Sequence, residues 1–476
     1  MRTWLENQWD LLRTNFLFFP LLMSAASVAV WVGISILDRY ITLPETPGWG
    51  WLRAGGAEGV RSLLSALVGS LMTALSIVFS ITVVALTLAA TQLGRRLLRS
   101  FMRDRTNQLI LGVFISTFLY CLLTLRRVGQ STDAADLPHI TILGGFLLAI
   151  VAFGVLIYFI HHVARSIQAP NVITAVSQEL NWVIDTQFPE EAGEEAGEEG
   201  DGAAEAAENE LPEETGVVAA EWDAYLQAID VSGLTELARE QNVVLKLLRR
   251  PGDFVAGGEA LVLVYSAGDV EGALDQAASA LRRSLAWAEM AGSVGRRREA
   301  AIAALRRPLI FGSRRTATQD VEFVMLQLVE IATRALSPGI NDPFTAMTCI
   351  DRLSAAMCRL AGRRMPGRSR FDEDGNLRLI LDQTGFEGLL NTAFRQICQS
   401  GRGNAAVIVR LLEALHRIAE QASRSEQYAA IWHHARIALR AGEELPEKLD
   451  RESIAQRIEA LKKHLDSVAP AVLDED

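Results

Sequence analysis

Four long apolar stretches, at about 16–37, 63–93, 108–125 and 140–160, limit what this chain can fold into. Each meets the ~17-residue minimum that a helix rising about 1.5 Å per residue needs to cross the hydrocarbon of a bilayer. All four are in the first third of a 476-residue chain that is 50% hydrophobic and 22% charged. The mean hydropathy is +0.18. Residues 161–476 read as an ordinary soluble mixture, which excludes a wholly disordered chain, a collagen-like repeat and a small disulfide scaffold. The first stretch is not a secretory signal, because its opening holds Trp4 and Trp9, little positive charge and no small-residue cleavage pattern. A membrane protein with a large aqueous part is expected.

Basic residues give the orientation. Arg95, Arg96, Arg99, Arg103 and Arg105 fall between the second and third stretches, and the positive-inside bias places such a loop in the cytoplasm with both termini. Arg2, Arg13 and Arg165 join them on the inner flanks. Arg39, Arg53, Arg61, Arg126 and Arg127 would lie outside, and the Arg126–Arg127 pair runs against the trend. Trp49 and Trp51 suit an interfacial belt or a plain surface loop. The net charge of −11 is a local property. Residues 189–214 contain eleven Glu and one Asp without Lys or Arg, and the rest of the chain is close to neutral. No basic nucleic-acid footprint is present.

The second stretch carries a pattern of its own. At about 100° per residue, Ser62, Gly69, Thr73, Ser76, Ser80, Thr87 and Thr91 share an arc of about 60°, with Ser65 at its margin. Two readings stand open. Small residues and hydroxyls let helices pack closely in lipid, and neutral hydroxyls are also what a weakly binding ion or water path presents. The stripe has no Asp, Glu, Lys or His at mid-depth, which weighs against a proton relay. Gly144, Gly145 and Gly154 in the fourth stretch read as packing positions. His161 and His162, with Arg165, read as an interfacial cap where that stretch ends.

Downstream, the glutamate-rich run lacks the aromatic and β-branched residues that build a core and is expected to be a disordered loop. Residues 215–266 alternate in short runs with turns at Pro251-Gly252-Asp253 and Gly257-Gly258, which predicts a small β-domain with a helix near 234–241. From 270 on the periodicity is helical, at about 270–305, 318–336, 343–362, 385–399, 403–421, 424–441 and 449–467. A hairpin near 371–381 turns at Asp374-Gly375. The junction Ser337-Pro338-Gly339-Ile340-Asn341-Asp342 offers Gly339 for a left-handed helix end, Asp342 as cap and Pro343 for the next first turn. Asn341 and Asp342 are also candidates for a small ligand. No Ser/His/Asp grouping, phosphate-binding glycine loop or zinc motif is present. Cys121, Cys349, Cys358 and Cys398 are too scattered to suggest disulfides or structural zinc. No catalytic residue, metal or cofactor is expected.

Two resemblances add to this reading. Gly252-Asp253-Phe254-Val255, followed by Gly257-Gly258-Glu259-Ala260-Leu261, resembles a strand pair of lipoyl and biotinyl barrel-sandwich domains. The modifiable lysine of the carrier members is missing, so the resemblance implies fold only. Four longer segments, at 101–108, 158–168, 249–255 and 335–346, resemble a bacterial predicted-membrane-protein family, domain-of-unknown-function family 2254. That resemblance spans nearly the whole chain and implies a bacterial inner-membrane location.

The expected fold is mainly α with a small β part. It comprises a transmembrane domain (1–168), a helical exit (169–188), the acidic loop (189–214), a barrel-sandwich-like β-domain (215–266) and a cytoplasmic helical domain (267–476). The leading functional expectation is a homo-oligomeric ion-conducting pore lined by Gly69, Thr73, Ser76, Ser80, Thr87 and Thr91, with the five arginines forming a basic, anion-attracting ring at its cytoplasmic end. The alternative is a membrane-anchored sensor or scaffold that binds a ligand or protein partner through its cytoplasmic part.

Overall fold

Helix formation in lipid satisfies every backbone N–H and C=O within the segment, and the apolar stretches are helical in the computed structural model of the chain. The structure describes residues 18–38, 40, 56–92, 105–129, 137–166, 168–188, 214–266 and 308–473. The chain divides into two units, Met1–Val172 and Ile173–Asp476.

The first unit contains α1 (Phe18–Leu37), α2 (Gly56–Gln92), α3 (Arg105–Val128) and α4 (His139–Ser166), all long and apolar enough to cross a membrane. Helix α3 is the hub and packs against each of the other three. Its sequence allows this because small and hydroxylated residues recur around it. Against α1, Gly112 lies so close that an added Cβ would come within 2.5 Å of Met23 Sδ. Ser27 Oγ donates to Ser116 O (2.8 Å), Trp31 Nε1 to Thr124 Oγ1 (3.2 Å) and Arg127 Nη1 to Ser35 O (3.0 Å). Against α4, a Cβ on Gly144 would fall 2.5 Å from the Tyr120 hydroxyl, which donates to Thr141 O at 3.1 Å. Gly145 faces Cys121. Gly154 differs from its expected packing role, since it is exposed with nothing within 4 Å of a Cβ. Asp38, just past α1, caps α4. Its carboxylate accepts from Ile140 N (2.9 Å), Thr141 N (3.0 Å) and the Thr141 hydroxyl.

The second unit takes up α5 (Ala169–Gln187) from Ile173 onward. Ile173, Val176, Leu180, Val183 and Ile184 form its buried stripe. Next come β1 (Glu214–Ala219), β2 (Ala224–Ile229), α6 (Val231–Glu240), β3 (Val243–Leu247), β4 (Phe254–Val255), β5 (Ala260–Ser266) and β6 (Leu309–Gly312). The chain continues with α7 (Val321–Ala335), α8 (Pro343–Ala361), β7 (Ser369–Phe371) and β8 (Leu377–Ile380). It closes with α9 (Phe386–Ser400), α10 (Ala405–Ala419), α11 (Ser425–Glu443) and α12 (Lys448–Val468). The strands form two open sheets, ordered β1-β5-β3-β8-β7 and β4-β2-β6. Among the described residues only β3 and β8 pair in parallel.

These sheets do not close a barrel. The segment that resembles a barrel-sandwich strand pair is split between them, because β4 pairs with β2 while β5 pairs with β1 and β3. Three strands from the helical part, β6, β7 and β8, complete the sheets, and Leu309 and Leu379 join the core formed by Leu226, Leu234, Leu245 and Val262. The expected helix at 270–305 and the acidic run at 189–213 lie outside the described residues.

Arg363 fastens α5 to the helical layer. This side chain, only 6% exposed, donates to Ile184 O (3.0 Å), which also accepts from Phe188 N (2.9 Å), and to Phe188 O (2.7 Å), just past the end of α5. It also reaches Asp185 Oδ1 at 2.6 Å, and Arg359 adds a second bond at 2.5 Å. The hydrogen bond from Arg363 holds the Asp185 carboxyl below the usual carboxylate range. Arg363→Met should cost about 2–4 kcal/mol, the loss expected when buried acceptors lose a charged donor, and appear as a lower melting temperature of the full chain. Because the folded pKa is depressed, the Asp185 contribution is complete above the ordinary carboxylate range and is lost as pH falls through the folded value. Asp185→Asn should remove that acid step from a plot of melting temperature against pH.

Candidate functional site

Helix α2 has two opposed faces. Leu64, Leu71, Val78 and Ala85 recur every seventh residue, and all are at most 4% exposed. They fall within about 60° of one another on the helical wheel. Val78, Leu71 and Ala85 pack with Ile110 and Phe114 of α3 and Phe159 of α4. The centre of the hydroxyl stripe lies about 180° from this seam. Ser62, Gly69, Thr73, Ser76, Ser80 and Thr87 are all exposed. The stripe therefore lies on the exposed side of α2, opposite the seam that packs on α3 and α4. Thr73 Oγ1 donates to Gly69 O (3.0 Å), Ser76 Oγ to Met72 O (2.9 Å) and Thr87 Oγ1 to Val83 O (2.9 Å). With these hydrogens turned to the helix's own carbonyls, the oxygens keep acceptor capacity on the outer face. Thr91 is in the last turn of α2, and its side chain lies outside the described residues, as do Arg95, Arg96, Arg99 and Arg103. Arg105 opens α3 and is exposed.

Just inside the first turn of α3, Asn107 is 4% exposed and neither atom of its amide has a hydrogen-bond partner among the described residues. Gln108 beside it is also buried. At the end of α4, His161 is exposed and His162 stacks on Tyr158 with centroids 5.8 Å apart.

The loop at 249–254 carries a closed set of charges. Gly252, at φ 102°, donates its N–H to Leu226 O (2.7 Å), and its missing side chain makes room for the Asp320 carboxylate. Asp320 caps α7 by accepting from Phe323 N (2.8 Å) and receives Arg315 in a two-pronged pair (2.8 and 2.9 Å). Burial pushes the Asp320 carboxyl up against the pull of Arg315. Arg250 reaches Glu322 at 3.2 Å and the Thr384 hydroxyl, and Thr392 Oγ1 donates to Glu322 Oε1 at 3.0 Å. Each charged group in this loop has an opposite partner, so the arrangement fastens the β4 loop to α7 and α9.

The junction at 337–342 is built by its own backbone. Ser337 Oγ donates to Arg334 O (2.7 Å), and Ser337 O accepts from Ile340 N and Asn341 N. Asp342 caps α8 by accepting from Thr345 N (3.1 Å) and Thr345 Oγ1 (2.6 Å), with Pro343 in the first turn. The left-handed residue is Asn341, at φ 50°, and Gly339 does not take that conformation. Asn can adopt αL at modest cost. Pro338 and Gly339 are exposed, and so are two large apolar side chains, Ile340 (45%) and Phe344 (75%). Sequence reasoning did not single out Asp38, Tyr120 or Arg363. Only Asp38 leaves a signal, as a carboxylate at the end of an apolar run.

The profile of the family described as Predicted membrane protein (DUF2254) matches residues 13–417. Uncharacterized protein Rv1290c of Mycobacterium tuberculosis is 31% identical over 399 residues, which is 83% of this chain and 70% of the relative. Uncharacterized protein Mb1321c of Mycobacterium bovis matches with the same identity and coverage. No solved structure matches the chain. The chain belongs to the DUF2254 family.

Asp342→Ala should cost about 1 kcal/mol through the lost cap, read as a small drop in melting temperature. Gly252→Ala should cost about 2–4 kcal/mol, because it combines a strained φ with a clash on the Asp320 carboxylate. A Gly252→Ala loss no larger than that of Asp342→Ala would show that the loop relaxes freely.

Proposed function

We propose that this DUF2254 protein is an inner-membrane homo-oligomer in which the hydroxylated faces of α2 from several copies surround a path for small ions. In this reading both termini and the second unit lie in the cytoplasm, where the second unit serves assembly or gating. One observation carries the proposal. Among the described residues the heptad seam of α2 is the buried face, and the opposite face, hydroxylated from Ser62 to Thr87, is exposed.

Lipid tails offer nothing to oxygen acceptors, and buried polar atoms need partners. Water and ions supply them, and a hydroxyl can accept from water or turn its hydrogen to an anion. The basic segment that ends at Arg105 would draw anions to the cytoplasmic mouth.

A scaffold role rests on a separate observation, the exposure of Ile340 and Phe344 beside the α8 cap. Large apolar side chains held in water at a rigid turn suit contact with a protein partner.

The test joins mass and flux. The nanodisc-embedded complex should contain at least three copies, and replacing Ser76 and Ser80 by leucine should abolish ion flux in reconstituted vesicles while the mass stays the same. A monomer, or unchanged flux through an intact Ser76→Leu/Ser80→Leu assembly, would overturn the proposal.

A further inference from the structure

Helices α10 and α12 pack side by side, and each brings a histidine to their seam. His416 is in the last turn of α10 and His464 is in the last two turns of α12. Their ring centroids are 5.5 Å apart with the planes inclined at 56°. Two imidazoles on one ion, bound at about 2.0–2.1 Å and near a tetrahedral angle, hold their centroids roughly 5 Å apart.

Each ring also has a nitrogen without a hydrogen bond. His416 Nδ1 and His464 Nε2 are both buried with no hydrogen-bond partner among the described residues. Buried ring nitrogens are ordinarily bonded. The second nitrogen of His416, Nε2, is 3.8 Å from Glu420 Oε1. At 3.8 Å this is an ion-pair separation and not a hydrogen bond; a carboxylate that closes on the far nitrogen would orient the imidazole and leave its other lone pair free to coordinate. Other nearby carboxylates are already engaged. Glu413 pairs with Arg457 (3.1 Å) and Arg410 (3.7 Å), and Asp351 pairs with Arg417 (2.9 Å).

We propose that His416 Nδ1 and His464 Nε2 together bind one divalent transition-metal ion of the Zn2+ class, with Glu420 as the positioning residue. No group of three His, Cys, Asp or Glu side chains is placed to hold a metal among the described residues, so water completes the coordination shell. Imidazole ligands select Zn2+, Ni2+ and Cu2+ over Mg2+ and Ca2+. Once bound, the ion fastens α12 to α10.

The test is a calorimetric Zn2+ titration of the full chain in detergent after removal of metals by a chelator. The expected result is about one Zn2+ per chain, with affinity at least tenfold weaker in His416→Asn and in His464→Asn and unchanged in His433→Asn. Glu420→Gln should weaken binding by about tenfold and keep the stoichiometry. Mg2+ should give no heat. Wild-type-like Zn2+ binding by the His416→Asn/His464→Asn double variant would overturn the proposal, and so would a wild type that binds no Zn2+.

A readout on the wild type covers the case in which a variant fails to fold. Zn2+ should slow deuterium exchange at the imidazole C2 of His416 and His464, and leave His433 unchanged. Equal exchange with and without Zn2+ at both residues would also overturn the proposal.

Discussion

The contact between Tyr120 and Gly144 sets the arrangement of the first unit. Lipid tails are as apolar as leucine, so helices in a membrane gain little from hiding apolar surface and associate through close packing and hydrogen bonds. The Tyr120 ring fills the space a side chain at residue 144 would need, and its hydroxyl reaches the Thr141 carbonyl. Thr141 in turn donates to Asp38, which caps α4 from the end of α1. One chain of contacts thus ties three helices together through Tyr120 of α3. Helix α2 joins this core through its aliphatic seam, with Arg61 Nη2 donating to Gly129 O (3.4 Å) near one end, and its hydroxyl face is directed away from that seam.

The second unit is held together by different means. Helix α5 follows α4 after two residues, and its C-terminal carbonyls are held by Arg363 from the end of α8. Arg424 donates to Arg363 O (2.8 Å) and Gln427 to Ala361 O (3.1 Å), so α11 secures the same corner. The sheets depend on strands far apart in sequence. β3 pairs with β8 more than 130 positions later, as the Leu245–Leu379 register shows. A part built this way resists being split into a separate β-domain and a separate helical domain, since removing either leaves sheet edges unpaired.

Much of this was legible in the sequence, wherever the determinant was local. The four apolar helices, the hydroxyl stripe, the hairpin at Asp374-Gly375 and the Asp342 cap all follow from periodicity or turn chemistry within a few residues. Non-local determinants were hidden. Four residues of β6 carry too short a pattern to be read as a strand, and their place in a sheet depends on β2. Gly339 was the obvious left-handed residue by type. The bonds from Ile340 N and Asn341 N to Ser337 O instead close the turn two residues later, leaving Asn341 to reverse the chain. His416 and His464 are far apart in sequence and give no ligand-spacing signal, because only helix packing brings them together.

The depth of the α2 stripe bears on what it is for. From Ser62 to Thr87 it runs 25 residue steps, about 37 Å of helix, which exceeds the roughly 30 Å of hydrocarbon. A helix that needs a hydroxyl only to settle one crossing point would carry it near that point and be aliphatic elsewhere. Here the hydroxyls recur through the full depth, on the face opposite the packed seam, and none is accompanied by a charged side chain at mid-depth. Such a surface is weakly attractive everywhere and strongly attractive nowhere. In the pore proposed above, a passing ion or water would need that profile, because binding must be favourable enough to enter and weak enough to leave.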